Sequence, residues 1–319
     1  MKFAIMSRIL SRQHSGMYTF MKGLLQGIEQ LQSEHEYILL AEPGYTLPAD
    51  LNLNPQRFRV LPLAPPTNTS IGKYWWDHVA VGQACKLLNI DALYAPLHVR
   101  PVYAPCPVVV HVPDMMYHRF PEQWPWHAQI YIRLFVRLFT TQAAHVVALS
   151  QSTQYDLIQI VGMDTNRVTV VYPGTPAGFA PCSPQDIDTV CATYHLTQPF
   201  ILFVGSLHPR KNLVSLLEAF ELIADHIPHD LVIIVSKLWQ SAEIEERIRH
   251  SPHKSRIRHF AAVPQFDLPR FYSAANLFVF PSLYEGFGFP VLEALACGTV
   301  PVYSSIPSHL EITQGIDRE

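Results

Sequence analysis

Neither an excess of positive charge nor a paired set of cysteines marks this chain. Its 23 Lys and Arg stand against 26 Asp and Glu, a formal net charge of -3. Binding to a nucleic-acid backbone needs a concentrated basic surface, so no nucleic-acid partner is expected. The five cysteines, at positions 85, 106, 182, 191 and 297, are odd in number, scattered and free of any C-x-x-C spacing. That excludes a zinc ribbon and a disulfide framework and fits reduced thiols in a cytoplasmic protein. The N-terminal "MKFAIMSRILSRQHSG" is too short in apolar residues for a signal peptide. The longest apolar stretch, Trp124 to Leu149, carries His127, Arg133, Arg137 and His145, which would be costly at a bilayer centre. No G-x-G-x-x-G follows a strand, which disfavours a nicotinamide cofactor, and no repeat of solenoid period is present.

What the chain does contain is a regular alternation of short β-branched runs with amphipathic stretches. "KFAIM" (2–6), "YILLA" (37–41), "FRVLPL" (58–63), "DALYAP" (91–96), "PVVVHV" (107–112), "HVVALS" (145–150) and "VTVVYP" (168–173) read as strands buried on both faces. Met17, Met21, Leu24, Ile28 and Leu31 recur at three and four residues, the stripe of a helix, and Ser150 caps another reaching Ile160. The Pro-rich stretch from Tyr172 to Asp186 reads as a linker. Beyond it the pattern restarts with "FILFVGS" (200–206), "DLVIIVS" (230–236), "RIRHFAAV" (256–263), "LFVFPS" (277–282) and "VPVYSS" (300–305), with helices over about 212–225 and over "AEIEERIRH". The expected architecture is α/β, two Rossmann-like domains with parallel sheets over 1–180 and 181–319, a ligand lying in the cleft between their strand ends. The last residues begin a helix and stop, so the second domain is expected to be incomplete at its C-terminus.

Two anion-seeking elements stand out. Arg210 and Lys211 occupy the strand-to-helix turn of "HPRKNLVSLLEAF". Cations at a helix N-terminus oppose the macrodipole, so an anion such as a diphosphate is expected beside them; a solvated basic turn is the plainer alternative. In "YEGFGFPVLEALACG", Pro290 and Gly298 mark the ends of a two-turn helix, with Gly286, Phe287 and Gly288 in the loop feeding its positive end. Glu285 and Glu293 flank that loop and suit vicinal hydroxyls of a sugar or ribose. In the first half, His111 and Asp114 lie at a strand end and are candidates for substrate hydroxyls. His118 completes a spacing that resembles metal ligands, but Pro113 opposes the helix that would align them, and no metal is expected.

Taken together these segments resemble the retaining glycosyltransferases of family 4, which have the GT-B fold. "FVGSLHPRKNLVSLLEAF" looks like that family's donor-phosphate segment, and "VFPSLYEGFGFPVLEALACGTVPV" is similar to its E-x(7)-E signature. "VVALSQSTQYDLIQ", "RVTVVYPG", "VPQFDLPRFYSAANLFVFPS" and "HRFPEQW" also fit. The resemblance implies a nucleoside-diphosphate sugar donor, GDP- or UDP-linked, with no further cofactor. Lys211 and Arg210 would neutralise the diphosphate, Glu285 would hydrogen-bond the transferred sugar, and Gly286 to Gly288 would give backbone donors. Glu293 would hold the ribose, Val263 the base, and Gly16 the loop closing on the phosphates from the first domain.

The same resemblance implies transfer of a hexose, with mannose one candidate, to a glycan or lipid-linked acceptor in surface polysaccharide or glycolipid synthesis. A patch of Trp124, Trp126, Arg133 and Arg137 is a candidate for peripheral contact with the inner face of a membrane. Departures from the family pattern are Pro113 directly before Asp114, where His is usual, and Ser206 after the glycine of the phosphate strand, where Arg is common. The alternatives are an epimerase or phosphorylase on the same plan, or a non-catalytic sugar-nucleotide-binding protein.

Overall fold

The computed structural model describes residues 1–319 apart from 12–15, 32, 49, 66, 68, 125, 132–134, 236–240, 262 and 315–319. The chain divides into two compact units, Met1–Gly174 and Thr175–Glu319.

The first unit is built on a seven-stranded sheet of β1 (Lys2–Met6), β2 (Glu36–Ala41), β3 (Phe58–Pro62), β4 (Ala92–Ala95), β5 (Val108–Val112), β6 (His145–Ala148) and β7 (Val168–Val170). The order is β3-β2-β1-β4-β5-β6-β7, and every pairing is parallel. Ala4, Leu40, Leu93, Val110, Val146 and Val168 form one core with Trp76, Val81 and Leu157 from the covering helices. Strands covered on both faces have no polar side to alternate, which is why these segments are continuous apolar runs. Ser150 caps the helix Gln151–Asp156, its Oγ accepting from the Thr153 N–H at 3.0 Å.

The second unit holds β8 (Phe200–Gly205), β9 (Asp230–Val235), β10 (Ile257–Ala261), β11 (Leu277–Phe280) and β12 (Pro301–Tyr303), all parallel, in the order β10-β9-β8-β11-β12. Its core gathers Leu202, Phe203, Leu217, Phe220, Ile233, Phe271, Phe278 and Val291. All twelve strands expected from the sequence are present, each within its apolar run except β2, which starts one residue earlier at Glu36. The Tyr172–Asp186 stretch is only partly helix-free: Ser183 caps a helix over Pro184–Thr193, its Oγ accepting from the Asp186 N–H at 3.2 Å. The proline-rich composition hides this helix because Pro184 sits in the first turn, where its missing N–H costs nothing. Ser236, Ala262 and the final 315–319, parts of expected strands and of the closing helix, lie outside the described residues.

Both strand orders reverse once, between β1 and β4 and between β8 and β11. In open parallel sheets the loops leaving the C-terminal ends of such a pair diverge to opposite faces and leave a crevice for ligands. The loops after β8 and β11 contain Arg210, Lys211 and Glu285; those after β1 and β4 lead to Gly16 and contain His98.

Candidate functional site

In the second unit, the turn after β8 is a single 3-10 turn, Pro209–Lys211, started by the His208 side chain accepting from the Arg210 N–H at 3.3 Å. Asn212 then takes a left-handed conformation, φ 56°, a conformation that asparagine tolerates better than most residues, and begins the helix Leu213–Ile223. This redirects the chain so that Arg210 and Lys211 point back over the strand ends. The Leu283 N–H donates to the Arg210 carbonyl at 2.7 Å, and Arg210 Nη1 donates to the Tyr284 carbonyl at 2.9 Å. The two strand-end loops are thereby stitched together.

Glu285 lies at the centre of the stitch. Its Oε1 is 2.5 Å from Lys211 Nζ and its Oε2 2.5 Å from Arg210 Nη1. Glu285 is 7% exposed and Lys211 6%. Burial raises the Glu285 carboxyl, but the two cations beside it outweigh this and hold it at about 2. The Lys211 ammonium also lies 4.5 Å from the centroid of the Phe280 ring on β11. Two cations thus face one carboxylate, with Lys211 and Glu285 themselves in a largely water-excluded place.

The loop continues through Gly286 and Phe287 to Gly288, which precedes the helix Phe289–Ala296 with φ 125°. That φ suits only glycine, and a Cβ there would stand 2.8 Å from Cδ2 of His309. Phe287 is buried and meets Phe289 edge to face at 5.5 Å. Glu293, inside the helix, accepts from the Tyr272 hydroxyl at 2.8 Å through Oε2. Burial pushes the Glu293 carboxyl up to about 7 against the lowering effect of that hydroxyl and of Lys211. Pro290 falls within the first helical turn and Gly298, φ 79°, just past the end, as the sequence indicated.

Val263 follows β10 and packs on the edge of the second core. In the first unit, Gly16 opens the helix Gly16–Gln30. His111 is part of β5 with no exposed surface; its Nδ1 pairs with the Tyr94 hydroxyl, and its ring stands edge-on to Phe20 at 4.3 Å. Asp114 Oδ1 accepts from the Met116 N–H at 2.9 Å and starts the turn Met116–Arg119. The structure thus brings Arg210, Lys211, Glu285, the 286–288 loop and Glu293 into one region of the second unit, and His111 and Asp114 to one strand end of the first.

Four side chains at these places were not indicated by sequence. Tyr272 and Phe280 read as ordinary core aromatics. His309 is fully buried, donates from Nδ1 to the Ser304 carbonyl at 3.1 Å and packs on Gly288. Burial lowers its imidazole while the Glu285 charge pulls it up, which places the ring within reach of the Lys211–Glu285 pair's field. His98 is the fourth. Its only signal in the sequence is its position just past a strand.

The model of Glycosyltransferase Family 4 matches residues 15–178, and that of Glycosyl transferases group 1 matches residues 193–314. The O-antigen chain mannosyltransferase B of Escherichia coli is 28% identical over 202 residues, 62% of this chain and 53% of that protein. The Salmonella typhimurium O-antigen chain mannosyltransferase RfbU is 22% identical over 240 residues, 75% of this chain and 62% of that protein. The chain therefore spans about half to three fifths of these relatives' lengths. Among solved structures, Anabaena HepE in complex with UDP and glucose superposes with a TM-score of 0.75 at 20% identity, covering 98% of this chain and 82% of that one. WaaG, a glycosyltransferase involved in lipopolysaccharide biosynthesis, superposes with a TM-score of 0.71 at 14% identity, covering 97% and 82%. The two parallel sheets are those of the GT-B fold, and the chain belongs to glycosyltransferase family 4.

Proposed function

We propose that the chain transfers a hexose from a nucleoside-diphosphate sugar to a glycan or lipid-linked acceptor, with retention of anomeric configuration. The observation that carries this reading is the Arg210–Glu285–Lys211 group at the sheet's reversal point, which sets two cations together at the strand ends where a diphosphate would be held. Residues 1–180 serve the acceptor and 181–319 the donor. Arg210 and Lys211 stabilise the charge that develops on the diphosphate as the anomeric bond breaks, a preorganised electrostatic contribution that commonly dominates catalysis. Glu285 accepts from hydroxyls of the transferred sugar, and the backbone of Gly286, Phe287 and Gly288 donates to the phosphates. Glu293 takes the ribose hydroxyls through Oε1 while Tyr272 holds Oε2, and Val263 borders the base. Retention follows if the acceptor hydroxyl attacks from the leaving group's side and the departing phosphate takes its proton.

The relatives' names support mannose as the first sugar to test, and the UDP and glucose bound by HepE support a nucleotide-sugar donor. Trp126, exposed, and Arg137 stand on the surface of the first unit, while Trp124 packs on Tyr117 at 4.6 Å and Arg133 lies outside the described residues. We read this surface as a site of peripheral membrane contact near a lipid-linked acceptor, which liposome sedimentation would test. No described helix is long and apolar enough to cross a membrane.

The test is incubation with a panel of GDP- and UDP-hexoses and a lipid-linked glycan, read by mass spectrometry. Free nucleoside diphosphate with an acceptor heavier by one hexose is the expected result. Epimerised donor, or donor binding without turnover, would overturn the reading.

A further inference from the structure

The loop after β4 holds the only two consecutive positive-φ non-glycine residues among the described residues: Leu97 at 63° and His98 at 61°. Left-handed backbone is disfavoured for side chains with a Cβ, and where it persists the surrounding structure enforces it. Here the His98 N–H donates to the His111 carbonyl at 3.1 Å, pinning the loop to the end of β5. The consequence is that His98, 6% exposed, is turned into the protein beside Tyr117, whose ring stands edge-on at 5.9 Å. Neither His98 ring nitrogen has a hydrogen-bonding partner among the described residues, and neither does His111 Nε2. Buried polar atoms are nearly always paired, so three such nitrogens at one strand end require an account.

The chemistry of the place narrows what could pair with them. Burial drives the His98 imidazole down to about 4, against the pull of Asp114 and together with the push of His118, and drives His111 to about 3. Both rings are therefore neutral at neutral pH, so they offer no charge to a phosphate or carboxylate. A neutral imidazole presents one N–H donor and one lone pair, the complement of a hydroxyl, which also donates and accepts. No group of three His, Cys, Asp or Glu among the described residues is placed to hold a metal ion. His98 also lies in the loop leaving β4, one of the two strands flanking the reversal point of the first sheet, where ligands of such sheets bind.

We propose that His98, supported by the His111 carbonyl and flanked by Asp114, is a sugar-hydroxyl-binding residue of the first unit. It is held in its left-handed conformation so that both ring nitrogens meet a polyol. The inference rests on the transferase reading above for its role in turnover. The hydroxyl belongs either to the transferred sugar or to the acceptor sugar, and the assay separates them.

The experiment uses the whole chain with isotope-labelled histidine, its His98 and His111 ring signals assigned with H98N and H111Q. D-mannose, D-glucose, UDP and GDP are titrated separately. Expected is a saturable shift of the His98 ring signals with a hexose and none with a nucleotide. In parallel, His98→Ala lowers transfer by about 30-fold, the loss of one well-made hydrogen bond in a closed site, with the nucleotide Kd within about two-fold. His98→Asn, which tolerates the left-handed backbone and keeps a donor and an acceptor, recovers much of that loss, which a purely structural role would not predict. If His98→Ala also slows nucleotide release in the absence of acceptor, the hydroxyl is that of the transferred sugar; if only transfer slows, it is the acceptor's. His98 signals unmoved by either hexose, or a His98→Ala variant transferring at the wild-type rate, overturn the proposal. Should the wild-type chain release no nucleotide from any donor, the transferase reading fails on its own, and the hexose titration still decides for or against His98.

Discussion

Lys211 and Glu285 stand 74 positions apart in the sequence, yet Nζ and Oε1 lie 2.5 Å from each other with both side chains buried. The contact joins the loop after β8 to the loop after β11, and Arg210 closes it from the other carboxylate oxygen. Everything proposed for the donor site depends on this junction of two strand ends.

Glu285→Gln removes the carboxylate that Arg210 and Lys211 both face, and removing one partner of a buried pair costs about 3–5 kcal/mol. Urea unfolding followed by circular dichroism should show a loss of that order. In the same variant turnover should fall more than donor affinity, because the nucleotide's phosphate contacts remain. A midpoint unchanged from wild type would contradict the geometry described.

Lys211→Met behaves differently, because Arg210 still neutralises Glu285. Stability should fall less than in Glu285→Gln, while binding of a nucleoside diphosphate weakens by roughly 10- to 100-fold, the loss of one charge-assisted hydrogen bond of about 1.5–3 kcal/mol. Isothermal titration with UDP and GDP measures it. Equal affinity in variant and wild type would remove Lys211 from the phosphate site.

Glu293 makes stability depend on pH with a definite sign. Its carboxyl is raised from 4.5 to about 7 in the folded chain. Between those values the unfolded chain has lost the proton and the folded chain retains it, so folding becomes less favourable as pH rises from about 4.5 to 7, by at most about 3 kcal/mol. Glu285 has the opposite sign: held at about 2, it contributes stability that is present above 4.5 and lost as pH falls towards 2. Unfolding free energies at pH 5 and pH 8 should therefore differ more in wild type than in Glu293→Gln, with the wild type losing stability on going to pH 8.

Gly288→Ala introduces a Cβ at φ 125° and 2.8 Å from the His309 ring. Strain and overpacking together should cost about 2 kcal/mol or more. Adding His309→Ala relieves the closest contact but leaves Ile312 Cδ1 at 3.1 Å and the backbone strain. The double variant should recover part of the lost urea midpoint and no more, and full recovery would show that the backbone at Gly288 is unstrained.

Chelation provides an independent check on the leaving-group chemistry. If Arg210 and Lys211 supply the positive charge the diphosphate needs, transfer in excess EDTA should stay within about two-fold of the untreated rate. Loss of transfer that added magnesium or manganese restores would show that a metal ion shares this role.

The strands were legible in the sequence because a strand covered on both faces must be apolar throughout, and twelve such runs appear between polar turns. Helix ends marked by Ser150, Pro290 and Gly298 were legible for a similar local reason: each residue type answers a backbone demand at that position. The helix Pro184–Thr193 was not, since proline counts towards a linker in composition and towards a helix start in structure. His111 was singled out by its place near Asp114, but its place inside β5 buries it under Phe20, which depends on how a distant helix packs.

The sequence by itself determined the alternation of elements, the family signature and the two anion-seeking segments, because these are properties of neighbours along the chain. Only the tertiary structure decided that Arg210 and Lys211 share one carboxylate, that Tyr272 holds Glu293, that His309 seats on Gly288 and that His98 turns inward. Those relationships join residues tens of positions apart. They arise from the order of strands in the sheet, which brings the ends of β8 and β11 side by side and is written in no local stretch of residues.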